Sequence, residues 1–244
     1  MNRFHQSCRC SVALIALGLV VLLPAGCAEL LAELEKLETT PSTTPSDGLR
    51  EALRVGTGRA VGVVGRTDGF LGNPDIRIPV PEKLLKVEKA LRLIGADQVV
   101  DEFTTSMNRA AEAAAPVAKQ VFLDAVKRMT FEDAMAIIRG NDHEATDYFR
   151  GSAGPELERL FRPIVDKKLE SVGATRSFND LMRKVDDLPL LNRPAIDLND
   201  YVTGEALDGL FLMLAREELR IRTDPLARTT ELLKKYFGRE ESQQ

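Results

Sequence analysis

The chain has no tryptophan, two histidines, three cysteines and three tyrosines among its 244 residues. Each scarcity excludes a class of chemistry. Structural and catalytic zinc sites draw several ligands from His and Cys, and His5, Cys8 and Cys10 all lie in an N-terminal stretch that reads as a removable signal. That leaves His143 as the one histidine and Cys27 as the one cysteine of the expected mature chain. A Ser-His-Asp or Cys-His device would have to run through His143, so any enzyme here would work with carboxylates, Ser, Tyr or Lys. Poverty in Trp and Tyr also leaves little for stacking on sugar rings. No apolar run is long enough for a membrane span of about 20 residues; the longest runs from Val12 to Leu23.

That run has the parts of an export signal. Arg3 and Arg9 precede it without any acidic residue, and it closes on Leu23-Pro24-Ala25-Gly26-Cys27. The closing residues resemble the bacterial lipobox, with Pro24 where that motif commonly has an aliphatic side chain. Residues 1–26 are therefore expected to be removed and Cys27 to be lipidated, a permanent anchor since each buried methylene contributes about 0.8 kcal/mol. Ala28 follows the Cys, not the Asp that enteric-type sorting reads as inner-membrane retention, so the expected location is the cell envelope, at the periplasmic face of the outer membrane. Losing Arg3 and Arg9 makes a formal charge of −4 more negative by two. A domain of that charge has no overall footprint for nucleic acid or anionic lipid. With a single cysteine left, its fold is held by a core and not by disulfides.

Residues 27–46 read as a lipidated N-terminus, a short acidic helix with Leu30, Leu31, Leu34 and Leu37, and a Thr/Ser/Pro tether through Ser46. A single helical domain is expected over 47–240, with a disordered tail at 241–244. Helical period dominates, cut by start and stop signals. Pro81 opens a helix with Leu84, Leu85, Leu91 and Ile94 inward, and Gly95 stops it. Asp97 caps the next, which carries the Ala-rich run Arg109 to Ala115 and bends at Pro116. Thr130 to Asp133 is a capping-box variant before a helix closed by Gly140. Pro155 begins another, with Leu157, Leu160, Phe161, Ile164 and Val165 on one face and Gly173 beyond it. Asp224-Pro225 starts the last, carrying Leu232, Leu233 and Phe237. Ala206 to Ala215 is nearly all apolar except Asp208 and reads as a central helix buried all round. Alternation occurs only in Ile76, Ile78 and Val80. The expected fold is all-α, an irregular multi-helix bundle with at most one short β-hairpin.

Four places are candidates for a site. Gly56, Gly58, Gly62 and Gly65 evoke a phosphate loop, but they follow a polar tether and not a buried strand, and Gly58, Gly62 and Gly65 more simply form a flat face for close helix packing. The stretch from Thr67 to Pro81 is long for a structureless connection, and such loops are often functional. Asp68, Phe70, Asn73 and Arg77 are its candidate binding residues, against the plainer reading of a surface loop pinned by Phe70 and Leu71. His143 and Asp147 share a helix face at i,i+4, but Asp142 is the expected helix cap and no metal site is read there. Asn108, Arg109, Glu112 and Asp208 form the candidate buried polar site, because a buried carboxylate needs a partner or a raised pKa. Arg109, Arg220 and Arg222 are its candidate cations.

Several stretches together resemble a Gram-negative family catalogued as a domain of unknown function, number 4197, over Gly48 to Gly238. They are Thr67-Asp68-Gly69-Phe70-Leu71-Gly72-Asn73-Pro74 with Ile78-Pro79-Val80-Pro81, Met107 to Glu112, Ala145 to Arg150, and Asp200-Tyr201-Val202-Thr203 with Ala206 to Phe211. The resemblance implies an exported, largely helical protein, and it carries no activity, cofactor or catalytic residue. The residues themselves call for no cofactor. The expected function is a non-catalytic binding module for a periplasmic partner protein or a small apolar ligand. The competing class is a carboxylate-dependent cell-wall hydrolase or lyase, for which Glu112 is the candidate acid.

Overall fold

The computed structural model describes residues 44–186, 195–231 and 234. The signal, Cys27, most of the tether, Leu232, Leu233, Phe237 and the tail lie outside the described residues. The chain divides after residue 42 into two units, and all the described residues belong to the second.

Every regular element among the described residues is helical, in agreement with the expected all-α fold. In chain order they are α1 (Pro45–Val64), α2 (Leu85–Leu93), α3 (Asp97–Ala114), α4 (Ala118–Arg128), α5 (Phe131–Arg139), α6 (Glu144–Ser171), α7 (Ala174–Asp186) and α8 (Leu198–Thr223). Short 3-10 turns occupy Glu82–Leu84, Ala115–Val117 and Pro225–Ala227. No helix among the described residues is long and apolar enough to cross a membrane. α8 packs most extensively on α6 and next on α1, while α3 packs on α6, α7 and α8. Phe122 stands edge-on to Phe149 and Phe211 with ring centroids 5.3 and 5.9 Å apart. Ala110, Ala111, Ala114, Ala115 and Ala118 are all buried, and their small side chains let α3 and α4 approach their neighbours closely.

Local signals account for many boundaries. Thr130 accepts from the Asp133 amide while Asp133 accepts from the Thr130 amide, the expected reciprocal cap. Gly95 and Gly173 end α2 and α6 with φ of +77° and +78°, a conformation that costs other residues their Cβ contacts. Pro116 sits in the 3-10 turn that separates α3 from α4.

The structure corrects several expectations. α1 starts at Pro45, inside the stretch read as tether, because Thr44 and Asp47 form a second capping box. Of the expected flat face, Gly58 and Gly62 have open space where a Cβ would be, while Gly65 packs, a Cβ there standing 3.3 Å from the Pro116 ring; Gly56 packs as well, its Cβ position 3.4 Å from Ile221 of α8. Leu85 and Ile94 face outward, since the opening 3-10 turn shifts the phase and leaves Leu84, Val87 and Leu91 as the inward set. Asp97 lies in the first turn of α3, with Ala96 at the cap. Pro155 does not begin a helix: α6 runs through both Pro155 and Pro163, its Leu157, Phe161 and Val165 buried. α8 extends well beyond the ten residues read as its core, and one face is wet. Asp208 lies on that face with Gly204, its side chain 71 % exposed, so it is not a buried acid.

Candidate functional site

The stretch between α1 and α2 is a chain of tight turns fixed at nearly every other residue. Asp68 has φ of +63°, the left-handed conformation that Asp tolerates better than most side chains. Gly69 is required beside it, because a Cβ there would lie 2.4 Å from the Val64 carbonyl oxygen. The Gly72, Asn73 and Arg77 amides then donate back to Asp68, Phe70 and Asn73 carbonyls. Phe70 is fully buried and lies so close to Gly209 of α8 that a Cβ there would stand 2.7 Å from its ring.

Glu112 and its neighbours on α3 hold this loop down. The buried Glu112 carboxylate accepts the consecutive amides of Phe70 and Leu71 through Oε1, both at 3.1 Å. Its Oε2 accepts from the Arg109 guanidinium at 2.7 Å, and Arg109 reaches on to Asp68 at 2.7 Å. Hydrogen bonds to Glu112 and then to Asp68 hold the Arg109 guanidinium's pKa above its ordinary value. One turn earlier, the Asn108 amide takes the place of a neighbouring strand. Its Oδ1 accepts from the Ile78 amide and its Nδ2 donates to the Ile78 carbonyl, both at 2.9 Å, with a further bond to Thr104 O. This explains how Ile76, Ile78 and Val80 can alternate inward as in a strand without any strand to pair with.

α8 fixes the rest of the loop. Asn73 donates to the Met213 sulfur and accepts from the Asp75 amide, and Arg216 pairs with Asp75 at 2.8 Å. Tyr201 donates to the Pro79 carbonyl at 3.1 Å, and burial pushes its phenol up to about 12. Arg77 alone of the candidate loop residues points outward without an ion pair among the described residues. The structure thus gathers Asp68, Phe70, Asn108, Arg109 and Glu112 into one constellation, with Asn73 attached through α8. Phe70, expected as a binding residue of the loop, is fully buried in the core. Asp208 lies elsewhere, paired with Arg150 at 2.9 Å, whose guanidinium also stacks 4.5 Å over the Phe211 ring.

A second buried carboxylate escaped the reading of the sequence. Glu218 of α8 accepts the consecutive amides of Ala145 and Thr146, each at 2.9 Å, and the Thr146 hydroxyl at 2.8 Å. These are free donors at the start of α6, whose cap residue His143 makes no side-chain bond of its own. Glu218 therefore does from another helix what Asp142 was expected to do locally. Arg222 pairs with it at 2.8 Å and donates to the Ile137 carbonyl near the end of α5. One ion pair on α8 thus places an anion at one helix start and a cation at the preceding helix end. The spacing of Glu218 and Arg222, with Leu214 and Ile221 on the same face, was the available signal. Arg220, the other candidate cation, pairs instead with Glu217.

Chemically, both buried glutamates are occupied. Glu112 accepts two backbone amides through Oε1 and the Arg109 guanidinium through Oε2, whereas Glu218 accepts one backbone amide through each oxygen with Arg222 alongside Oε1, so every carboxylate oxygen of the two is engaged within the protein. Among the described residues no group of three or more His, Cys, Asp or Glu stands close enough to hold a metal ion. A small apolar cavity of about 20 Å³ lies between α1 and α8, lined by Leu53, Gly56, Leu214 and Ile221. No curated protein and no solved structure matches the chain. The family model described as a protein of unknown function, DUF4197, matches residues 39–238, most of the chain, and the chain therefore belongs to that family.

Proposed function

We propose that the protein is a non-catalytic interaction module, lipid-anchored through Cys27 in the cell envelope, which presents the loop between α1 and α2 to a partner protein. The observation that carries this reading is the state of the loop. Backbone amides, Asn108, Glu112, Arg109, Tyr201 and Arg216 hold it in one conformation, while Arg77 stays outward and unpaired among the described residues. A preordered surface loses little entropy when a partner docks. The small apolar ligand is the weaker limb of this reading. Ligand sites occupy about 300 to 1,000 Å³, and the apolar cavity between α1 and α8 has about 20 Å³.

The competing hydrolase reading needs Glu112 as a general acid or base within reach of a substrate, whereas both its oxygens are engaged inside the protein. Photo-crosslinking in the cell envelope from position 77, with position 139, exposed at the end of α5, as the control, tests the interaction. A discrete protein adduct at position 77 alone is expected; no adduct, or the same adducts at both positions, sinks it. Cell-wall digestion that disappears on Glu112→Gln with the fold intact would instead establish the hydrolase. The anchor has its own test: Cys27→Ser should abolish acylation and membrane recovery, and recovery of the variant in the outer membrane at wild-type mass would remove the anchor.

A further inference from the structure

The net negative charge of the chain conceals a local surface of different character. α2 is a peripheral helix that packs chiefly on α3, through Val87 and Leu91 with Leu84 just before them. Its opposite face carries Leu85 at 43 % and Leu93 at 87 % exposed, and Ile94, 58 % exposed, follows at the helix end. Leu85, Lys89 and Leu93 recur at i, i+4 and i+8, which aligns them along one outward stripe, with Lys86 beside it. Lys86 and Lys89 form no ion pair among the described residues, whereas Arg92 at the edge is engaged by Glu88, Asp97 and Asp101.

We propose that this face of α2 docks on a lipid bilayer carrying anionic headgroups. The stripe alternates apolar and cationic groups, so leucines can enter the acyl boundary while the flexible lysine stems carry their ammonium groups back to the phosphates. A second copy of the chain fits less well. A two-fold contact along the stripe would bring Lys89 against Lys89, like charges at the centre of the interface. The lipid anchor of the proposed function supplies only proximity to a membrane; the chemistry of the face is independent of it.

Because the chain lacks tryptophan, Leu93→Trp creates a single fluorescent reporter on the stripe, and Leu226→Trp, at a position 89 % exposed in the turn after α8, creates a control. The full chain carrying either reporter is purified in detergent and reconstituted with vesicles of phosphatidylcholine, with or without phosphatidylglycerol. A blue shift and quenching by brominated acyl chains are expected for position 93 in the anionic vesicles, with position 226 unchanged, and with loss of both signals on adding Lys86→Glu and Lys89→Glu. Emission at position 93 that is the same with and without vesicles, equal in both lipids, or mirrored at position 226 overturns the proposal. Circular dichroism checks that each variant retains its helices. Cys27→Ser fractionation and crosslinking at position 77 read the anchor and the partner separately, so failure here leaves those readings standing.

Discussion

Glu112 and Glu218 solve the same electrostatic problem in two parts of the molecule. Each is a buried carboxylate that accepts two successive backbone amides and pairs with an arginine on its own helix, at i,i+3 for Arg109–Glu112 and i,i+4 for Glu218–Arg222. Their clients differ. Glu218 holds the first turn of a helix, where the amides already converge and the dipole favours an anion. Glu112 holds two successive amides of a loop that belongs to no helix. Their settings differ as well: the Arg222 side chain is 14 % exposed and ends on a backbone carbonyl, whereas Arg109 is 31 % exposed and ends on Asp68 at the surface. The Glu218 contact thus joins elements of the bundle, and the Glu112 contact shapes one surface. Residues of equal burial and equal partners can serve stability in one place and presentation in another.

The comparison is sharpest under truncation. Glu218→Ala strands a well-buried guanidinium and the amides of Ala145 and Thr146, and should cost about 4 kcal/mol in denaturant unfolding. Glu112→Ala leaves two amides unmet but lets Arg109 turn to solvent and Asp68, so about 3 kcal/mol is expected. Its mark should be local: hydrogen exchange at Phe70 and Leu71 should accelerate while the α6 amides keep their protection. Global loss of protection in Glu112→Ala would show that the loop is part of the cooperative core. Because the two sites share no partner, the double variant should be additive within about 0.5 kcal/mol. The loop can also be disturbed from its far side: Gly209→Ala drives a methyl group toward the Phe70 ring and should cost about 2 kcal/mol. A neutral result there would mean the loop shifts freely despite Glu112. Asp208→Asn should be the mildest, below about 1 kcal/mol, because an exposed pair contributes little; a larger loss would contradict the exposed position of that side chain.

The two clasps were unequally legible in the sequence. Glu112 stood out because it interrupts a run of alanines, and Arg109 one turn earlier was an evident partner. That these residues bind the loop could not be read, since the contact joins positions more than forty residues apart. Glu218 lies among Arg216, Glu217, Leu219 and Arg220, a charged setting in which no single acid is conspicuous; its burial depends on where α6 begins. Asp208 was misjudged for the opposite reason. Its apolar neighbours implied a helix buried all round, whereas a single exposed row suffices to keep one carboxylate in water. Helix starts with reciprocal side-chain caps, such as Thr130 with Asp133, were readable because all the participants are local. Pro155 misled because a proline marks a first turn more often than an interior.

That proline has a consequence for how the molecule breathes. Without an amide hydrogen, Pro155 leaves the Gly151 carbonyl without its helical donor, and Pro163 does the same to Arg159. Gly151, Pro155, Arg159 and Pro163 are all exposed, so water can meet both carbonyls on the outer surface while Leu157, Phe161 and Val165 stay packed on the inner one. A helix notched twice along its wet side propagates disorder poorly from one segment to the next. Amides of the first turns, held by Glu218, should therefore exchange with solvent at rates set by the whole fold, while the turns beyond Pro163 open and close on a separate and faster clock.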